Sequence, residues 1–204
     1  AGELNFKIFS STLNLMKSIN LSDLNKERVS KEIEKIANSK FIQKSILLFV
    51  ATDFFHKFFG LSFTLKNAKS IIRALKFSKK IGLLAPQDEL FFYMLKHELG
   101  LRTLAEINIF GKFSKTSDKQ CGYKNLSNIN MLEIATIYGL NNFFGCAKQE
   151  IYDTACRFDI FYSKINLPFT YQSIISEGFV GKSISSEFEH RKIIFLENFL
   201  NKKS

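Results

Sequence analysis

The sequence predicts an all-α fold, and three observations lead to that prediction. Apolar residues recur every three or four positions through most of the chain, which is the spacing of one helix face. No run of apolar–polar alternation is long enough to argue for a β-sheet. Glycine follows several of the periodic stretches, and helices commonly end at a glycine that adopts the left-handed conformation. We therefore expect one compact helical domain over residues 1–204, with about seven to nine helices.

Periodicity and capping residues place the helices of the first half. An apolar stripe that starts at Leu4 predicts a helix over 4–19, and Ser22 or Asp23 can cap a second helix. Residues 41–59 are apolar on almost all sides, which is typical of a buried central helix. A basic helix is predicted at about 65–80.

A proline marks the start of the next helix, over 86–99. Pro86 suits the first helical position, and Asp88 and Glu89 in the first turn interact favourably with the helix dipole. Residues 104–110 fit neither a helix nor a strand pattern clearly. The polar stretch 112–125 is expected to form a loop.

Capping residues define the helices of the second half, because Ser, Thr and Asn side chains accept hydrogen bonds from the free N–H groups of a first turn. We predict a helix from Ser127 or Asn128 to 138, a long helix from Asn141 or Asn142 to about 164, a short helix capped by Thr170, and a last helix from Ser185 to about 200.

Four glycines raise the question of internal repeats. Gly60, Gly100, Gly139 and Gly178 are each followed by Leu or Phe, and their near-regular spacing is about 40 residues. A period near 40 is typical of stacked helical pairs. Gly82 interrupts this pattern, and the rest of each unit does not align. An irregular bundle is the main prediction, with stacked helical-pair repeats as the alternative.

The charge of the chain is unusual, but its total has two explanations. The formal net charge is +10, with 24 lysines and 5 arginines, and the chain has 23 phenylalanines and no tryptophan. A strongly basic chain suggests an anionic partner. An AT-rich genome also favours Lys and Phe codons and would raise the charge without any partner. The distribution of the charge therefore matters more than its total.

Lysine and arginine concentrate in one segment. Residues 54–87 contain seven of them and no acid. Five of these are spaced three, four, three and four residues apart, which places them on one helix face: Lys66, Lys69, Arg73, Lys76 and Lys80. Leu65, Ala68, Ile72 and Leu75 are expected on the apolar face. As an alternative, these cations pack against acids elsewhere in the fold, such as Glu32, Glu34, Glu187 and Glu189.

The five cations predict a surface that binds an anion. The candidate partners are a nucleic-acid backbone, an anionic membrane surface or an acidic protein. Four of the five are lysines, which act as point charges and do not favour bidentate reading of bases. Any nucleic-acid binding is therefore expected to be weakly sequence-specific.

Two acid–histidine pairs form the one sequence pattern that resembles a set of metal ligands. Asp53 with His56, and Glu187 with His190, each match acid-x-x-His, and two Glu-x-x-His pairs occur in di-iron and di-manganese bundles. Asp replaces Glu in the first pair, and the second pair lies on the more polar side of its helix. We expect local acid–histidine pairing and no metal; a metal-dependent helical-bundle enzyme is the alternative.

Other chemistry has little support in the sequence. Cys121, Cys146 and Cys156 match no zinc or disulfide pattern, and the phosphate-loop, dinucleotide and serine-hydrolase motifs are absent. The most apolar stretch, 45–63, contains Asp53, His56 and Lys57, so we expect no transmembrane segment. No cofactor is expected, and the sparse cysteines favour a reducing, cytoplasmic location.

These observations favour a non-enzymatic helical binding or adaptor protein that engages an anionic partner through the basic helix at about 65–80. A protein-interaction scaffold in which the cations have no partner is the third hypothesis.

Overall fold

The computed structural model describes residues 5, 7–21, 23–109, 111–120 and 122–203. Over these residues the fold is all-α, with 68% helix and no strand. Eleven α-helices occur there, nine of them with seven or more residues, so the predicted fold class is confirmed. The chain divides into two compact units, Ala1–Gly122 (unit 1) and Tyr123–Ser204 (unit 2). That all 204 residues form one domain stays a prediction.

Unit 1 contains the helices α1 (Ser10–Ser18), α2 (Lys26–Ala37), α3 (Ile42–Ala51), α4 (Phe54–Phe59), α5 (Leu65–Lys80), α6 (Gln87–Leu99) and α7 (Lys112–Lys119), with a 3₁₀ turn at Leu104–Ile107. Unit 2 contains two 3₁₀ turns, Leu140–Asn142 and Phe144–Ala147, and the helices α8 (Asn128–Ile137), α9 (Gln149–Arg157), α10 (Tyr171–Ser176) and α11 (Lys182–Lys203).

Helix α6 is the central helix of unit 1. All residues from 90 to 96 are buried, because six consecutive apolar residues followed by Lys96 leave no polar side for solvent. Helices α2, α5 and α7 pack against α6, and α3 packs against α2 and α5. The prediction of a central helix over 41–59 is therefore wrong. Asp53 adopts the left-handed conformation (φ 53°) and divides that segment into α3 and α4.

Phenylalanines fill the space around the α3–α4 break. The ring of Phe55 is fully buried and lies 5.2 Å from Phe49, 5.4 Å from Phe54 and 4.9 Å from Phe63, measured between ring centroids. These tilted and edge-on arrangements are the favoured geometries of aromatic pairs. The phenylalanine content of unit 1 thus serves core packing, as the helical spacing predicts.

Two ion pairs hold α7 against α6. Lys112 Nζ lies 3.1 Å from the buried Asp88 carboxylate, and the buried Lys96 donates to Asp118 Oδ1 at 2.5 Å. The loop predicted at 112–125 is therefore wrong in its first part, which forms α7. The helix was missed because Phe113 is its one large apolar residue, so the sequence shows no apolar stripe there.

The left-handed glycine stops expected after the periodic stretches are confirmed at three helix ends in unit 1. Gly60, Gly82 and Gly100 have φ near 70°, and the residue after each donates a hydrogen bond back into the last turn. Gly139 differs, with φ −62°. The 40-residue spacing therefore does not reflect one repeated helix stop.

Other helix ends differ from the prediction by a few residues. The first helix begins at Ser10, and Asn25 caps α2 in place of Asp23. Pro86 precedes α6 as its N-cap, and α11 begins at Lys182, three residues earlier than predicted. Three residues named in the predictions lie outside the described residues: Leu4, Ser22 and Phe110.

Unit 2 is built on α8 and α11, which pack together, with α10 against α11. Ser127 and Thr170 cap α8 and α10 as predicted. The long helix predicted over 141–164 is wrong, because the backbone forms two 3₁₀ turns before α9. After α9 the chain returns beside the first of those turns, where Leu140 N–H donates to the Ile160 carbonyl at 3.0 Å.

The Lys96–Asp118 pair gives a prediction about stability and pH. The hydrogen bond from Lys96 holds the pKa of the Asp118 carboxyl below its usual range. The ionised carboxylate therefore stabilises the fold above its unfolded pKa of about 3.9, and this contribution is lost as pH falls through the lower folded pKa. Asp118→Asn should lower the free energy of unfolding by about 1–2 kcal/mol at pH 7, since Asp118 is partly exposed.

Urea denaturation at pH 7 and pH 3 measures this effect. The difference in the free energy of unfolding between wild type and variant should be smaller at pH 3 than at pH 7. Asp153→Asn, on the exposed side of α9, is the control and should change stability little. An Asp118→Asn protein as stable as the wild type at pH 7 would contradict the assigned pair.

Candidate anion-binding surface

Helix α5 has the predicted bounds, Leu65–Lys80, and a well-formed start. The Thr64 hydroxyl accepts from the Asn67 N–H, and Asn67 Oδ1 accepts from the Thr64 N–H at 2.9 Å. This reciprocal cap satisfies two of the free donors of the first turn. The sequence thus fixes the residue at which the basic helix begins.

The inner face of α5 packs into the core of unit 1. Ala68, Ile71, Ala74 and Leu75 are at most 3% exposed. The predicted apolar face was partly wrong: Ile72 is only half-buried and Leu65 is 47% exposed. The core face is therefore rotated toward Ile71 and Ala74. Small residues at 68 and 74 allow close packing against the neighbouring helices.

The outer face of α5 carries the five predicted cations. We call this set the cation row: Lys66, Lys69, Arg73, Lys76 and Lys80. All five are exposed, and at 100° per residue their side chains leave the helix within an arc of about 80°. With a rise of 1.5 Å per residue the row is about 21 Å long. Ile71 lies on the opposite side of the helix.

No member of the cation row forms an ion pair within the described residues. Three of the four acids considered as alternative partners are engaged elsewhere, in the pairs Glu32–Lys35, Glu187–Arg191 and Glu189–Lys192. The fourth, Glu34, lines the cavity beside α2 and forms no ion pair with the row.

The Glu98 carboxylate does reach α5, but it accepts from Ser70 Oγ at 2.7 Å and from Asn67 Nδ2 at 3.4 Å. By helical geometry Asn67 lies on the side of α5 away from the row, whereas Ser70 lies beside the row, about 40° from Lys66. The Glu98 carboxylate therefore flanks the row at Ser70, and no member of the row forms an ion pair with it.

Lys79 has a separate, structural role. Its Nζ donates to Gln87 Oε1 at 3.1 Å, and Gln87 Nε2 donates to the carbonyls of Ala37 and Ser39. This chain of hydrogen bonds joins the end of α5 to the start of α6 and the end of α2. Of the six cations on α5, the five in the row are those without such a contact in the described residues.

The division of the chain into units shows where its charge lies. Unit 1 has 20 Lys and Arg against 11 Asp and Glu, and unit 2 has 9 against 8. Unit 1 is therefore +9 and unit 2 only +1. Genome bias alone would raise lysine in both units, so it does not account for this concentration. The sequence already contained this signal, but the domain boundary was needed to read it.

The acid–histidine pairs do not assemble a metal site within the described residues. Asp53 and His56 are both exposed, and Asp53 precedes α4 in the left-handed conformation. Glu187 pairs with Arg191 at 2.7 Å, and His190 is exposed. The described part of the chain contains no group of three or more His, Cys, Asp or Glu side chains arranged to hold a metal ion.

Two cysteines are described, and both are free thiols. Cys156 is exposed and Cys146 is buried, and burial raises the pKa of the Cys146 thiol to about 12. Cys146 therefore stays protonated at neutral pH and is a poor nucleophile. Cys121 lies outside the described residues.

A cavity of about 1220 Å³ in unit 1 is lined mainly by α2, α3 and α7, and not by the cation row. Three of its lysines are already paired, Lys31 with Glu27, Lys35 with Glu32 and Lys112 with Asp88. The cavity is therefore a weaker candidate for an anion than the unpaired row on α5.

Comparison of this chain with known proteins identifies no relative. Protein-family models, curated proteins and solved structures were all searched, and none matches this chain. Among the described helices, none combines the length and the hydrophobicity needed to cross a bilayer.

The two faces of α5 predict opposite effects of substitution on stability. Replacing Lys69, Arg73 and Lys76 together with glutamine should change the free energy of unfolding by no more than about 0.5 kcal/mol per site, because the side chains are exposed and unpaired. Ile71→Ala, on the buried face, should cost about 2–5 kcal/mol. Urea denaturation measures both, and a strongly destabilised triple variant would show that the row is engaged within the fold.

Proposed function

We propose that this chain is a non-enzymatic binding or adaptor protein that engages an anionic partner through the cation row of α5. The observation that carries the proposal is a row of five exposed cations that form no ion pair within the described residues, on a helix whose other face is used for packing. A nucleic-acid backbone, an anionic membrane surface and an acidic protein are the three partner classes.

The energetics of the row support a partner. Like charges three or four residues apart on a helix repel by about 0.2–0.5 kcal/mol per pair, and the row contains four such neighbours. Neighbouring members are separated by about 4.5 or 6 Å along the axis, less than the Debye length of about 8 Å at physiological salt. The five charges therefore act together on a nearby anion, and a bound polyanion relieves their repulsion.

The test compares two variants with the same change in charge. The row variant combines Lys69→Gln, Arg73→Gln and Lys76→Gln. The control combines Lys182→Gln, Lys202→Gln and Lys203→Gln, three exposed lysines of α11 in unit 2. The probes are a 30-base-pair DNA duplex, vesicles containing phosphatidylserine, and polyglutamate, each titrated at several salt concentrations.

Wild type and control should bind at least one probe in a salt-dependent manner, and the row variant should bind that probe more weakly with a smaller salt dependence. Equal weakening in both variants would mean that net charge alone is responsible. Binding that is the same in all three proteins, or absent in all, would defeat the proposal.

A further inference from the structure

We infer that the anionic partner of α5 is the phosphate backbone of a nucleic-acid duplex, read without regard to base sequence. This inference rests on the proposed function, since it names the class of polyanion that the cation row contacts. It is drawn from the order of charged and apolar side chains across the exposed face, from the length of the row, and from the residue types in it.

Charge occupies the centre of the exposed face and apolar side chains occupy its edges. By helical geometry Leu65 and Ile72 lie along one edge of the row and Phe77 along the other. Ile72 and Phe77 are half-buried, so the ammonium and guanidinium groups are the groups that reach furthest from the helix. Along most of the helix a partner therefore meets the charges before it meets an apolar side chain; the exception is Leu65, which is 47% exposed at the start of the helix.

This order is the reverse of what the other two partner classes need. Protein–protein interfaces place apolar and aromatic residues at the centre, deplete lysine there, and keep charge at the rim. A membrane-surface helix buries its apolar face in the headgroup region, whereas the apolar face of α5 is already buried in unit 1. Protein–DNA interfaces are more polar and far more positive than protein–protein ones, which fits a row with charge at its centre.

The length and composition of the row fit a regular line of phosphates. A duplex carries about one phosphate for every 1.7 Å of axis over its two strands, and only the phosphates turned toward the protein are within reach, so five cations spread over about 21 Å can meet several of them. Lysine contacts phosphate as a point charge and has no fork to match a guanine edge. Because α5 is packed on its inner side by α3 and α6, its outer face, which carries the row, is the face that a duplex can contact.

The aromatic residues favour a duplex over a single strand. Single-strand binders combine a basic track with exposed aromatic rings on which unpaired bases stack. Phe77 is the one aromatic residue of α5, and it is half-buried. With a single, half-buried ring on this helix, single-stranded nucleic acid gains little stacking energy, and the charge density of the duplex gives the stronger contact.

The experiment measures binding of the full chain to a 20-base-pair DNA duplex, the same duplex as RNA, the single strands, phosphatidylserine vesicles and polyglutamate. Five neutralised phosphates predict a slope of about −4.5 for the logarithm of the DNA binding constant against the logarithm of salt. Affinity should then fall about 500-fold between 50 and 200 mM salt. The variant Lys69→Gln, Arg73→Gln, Lys76→Gln keeps two cations, so its fall should be only about 12-fold.

Three further binding measurements complete the test. Changing the duplex sequence should leave the affinity unchanged, and so should Leu65→Ser, because phosphate contact uses no apolar edge. The DNA and RNA duplexes show which polymer presents its backbone better to the row. Single strands should bind more weakly than either duplex.

The outcomes separate this inference from the proposed function. Row-dependent binding to vesicles or polyglutamate without binding to a duplex would overturn the nucleic-acid inference and leave the anion-binding proposal standing. Tighter binding to single strands than to duplexes, or a strong loss of duplex binding in Leu65→Ser, would also overturn the inference. No row-dependent binding to any probe would overturn both.

Discussion

The burial of α6 on every side is the constraint on which unit 1 depends. A helix with six consecutive apolar residues and no polar side must be surrounded, and α2, α5 and α7 surround it. The polar groups that are buried with it need partners, because an unpaired buried charge costs several kcal/mol. Asp88 pairs with Lys112, and Lys96 pairs with Asp118. These two ion pairs hold the short, polar helix α7 against α6.

The same constraint decides what α5 presents to solvent. Packing on α3 and α6 uses Ala68, Ile71, Ala74 and Leu75 and fixes the rotation of the helix about its axis. Once that rotation is fixed, the spacing of three and four residues directs all five cations outward in one line. The hydrogen bonds of Asn67 and Ser70 to the Glu98 carboxylate hold this acid on the flank of the helix, where no member of the row forms an ion pair with it.

Helices with a clear stripe or a recognisable cap could be predicted from the sequence. This holds for α5, for the starts of α8 and α10, and for the glycine stops after α4, α5 and α6. The cation row itself also followed from spacing alone. These features depend on residues close together in the chain, so local sequence contains the information that specifies them.

The errors arose where distant contacts or a single backbone conformation decide the structure. The left-handed Asp53 divides α3 from α4 although the surrounding residues are continuously apolar. Helix α7 depends on two ion pairs to α6, each spanning more than twenty positions of sequence. The absence of an ion pair between the row and any described acid is likewise a property of the folded chain, since it requires knowing where Glu32 and Glu98 are bound.

The most direct test of this account is the reactivity of individual lysines. The folded protein is treated with an amine-acetylating reagent, and labelling at each lysine is followed over time by peptide mass spectrometry, with the urea-unfolded chain as reference. The account predicts that Lys66, Lys69, Lys76 and Lys80 label as fast as the exposed Lys202 and Lys203, while Lys96 is protected until the protein unfolds. Protection of the four row lysines similar to that of Lys96 would show that α5 turns this face into the fold, and would contradict the account.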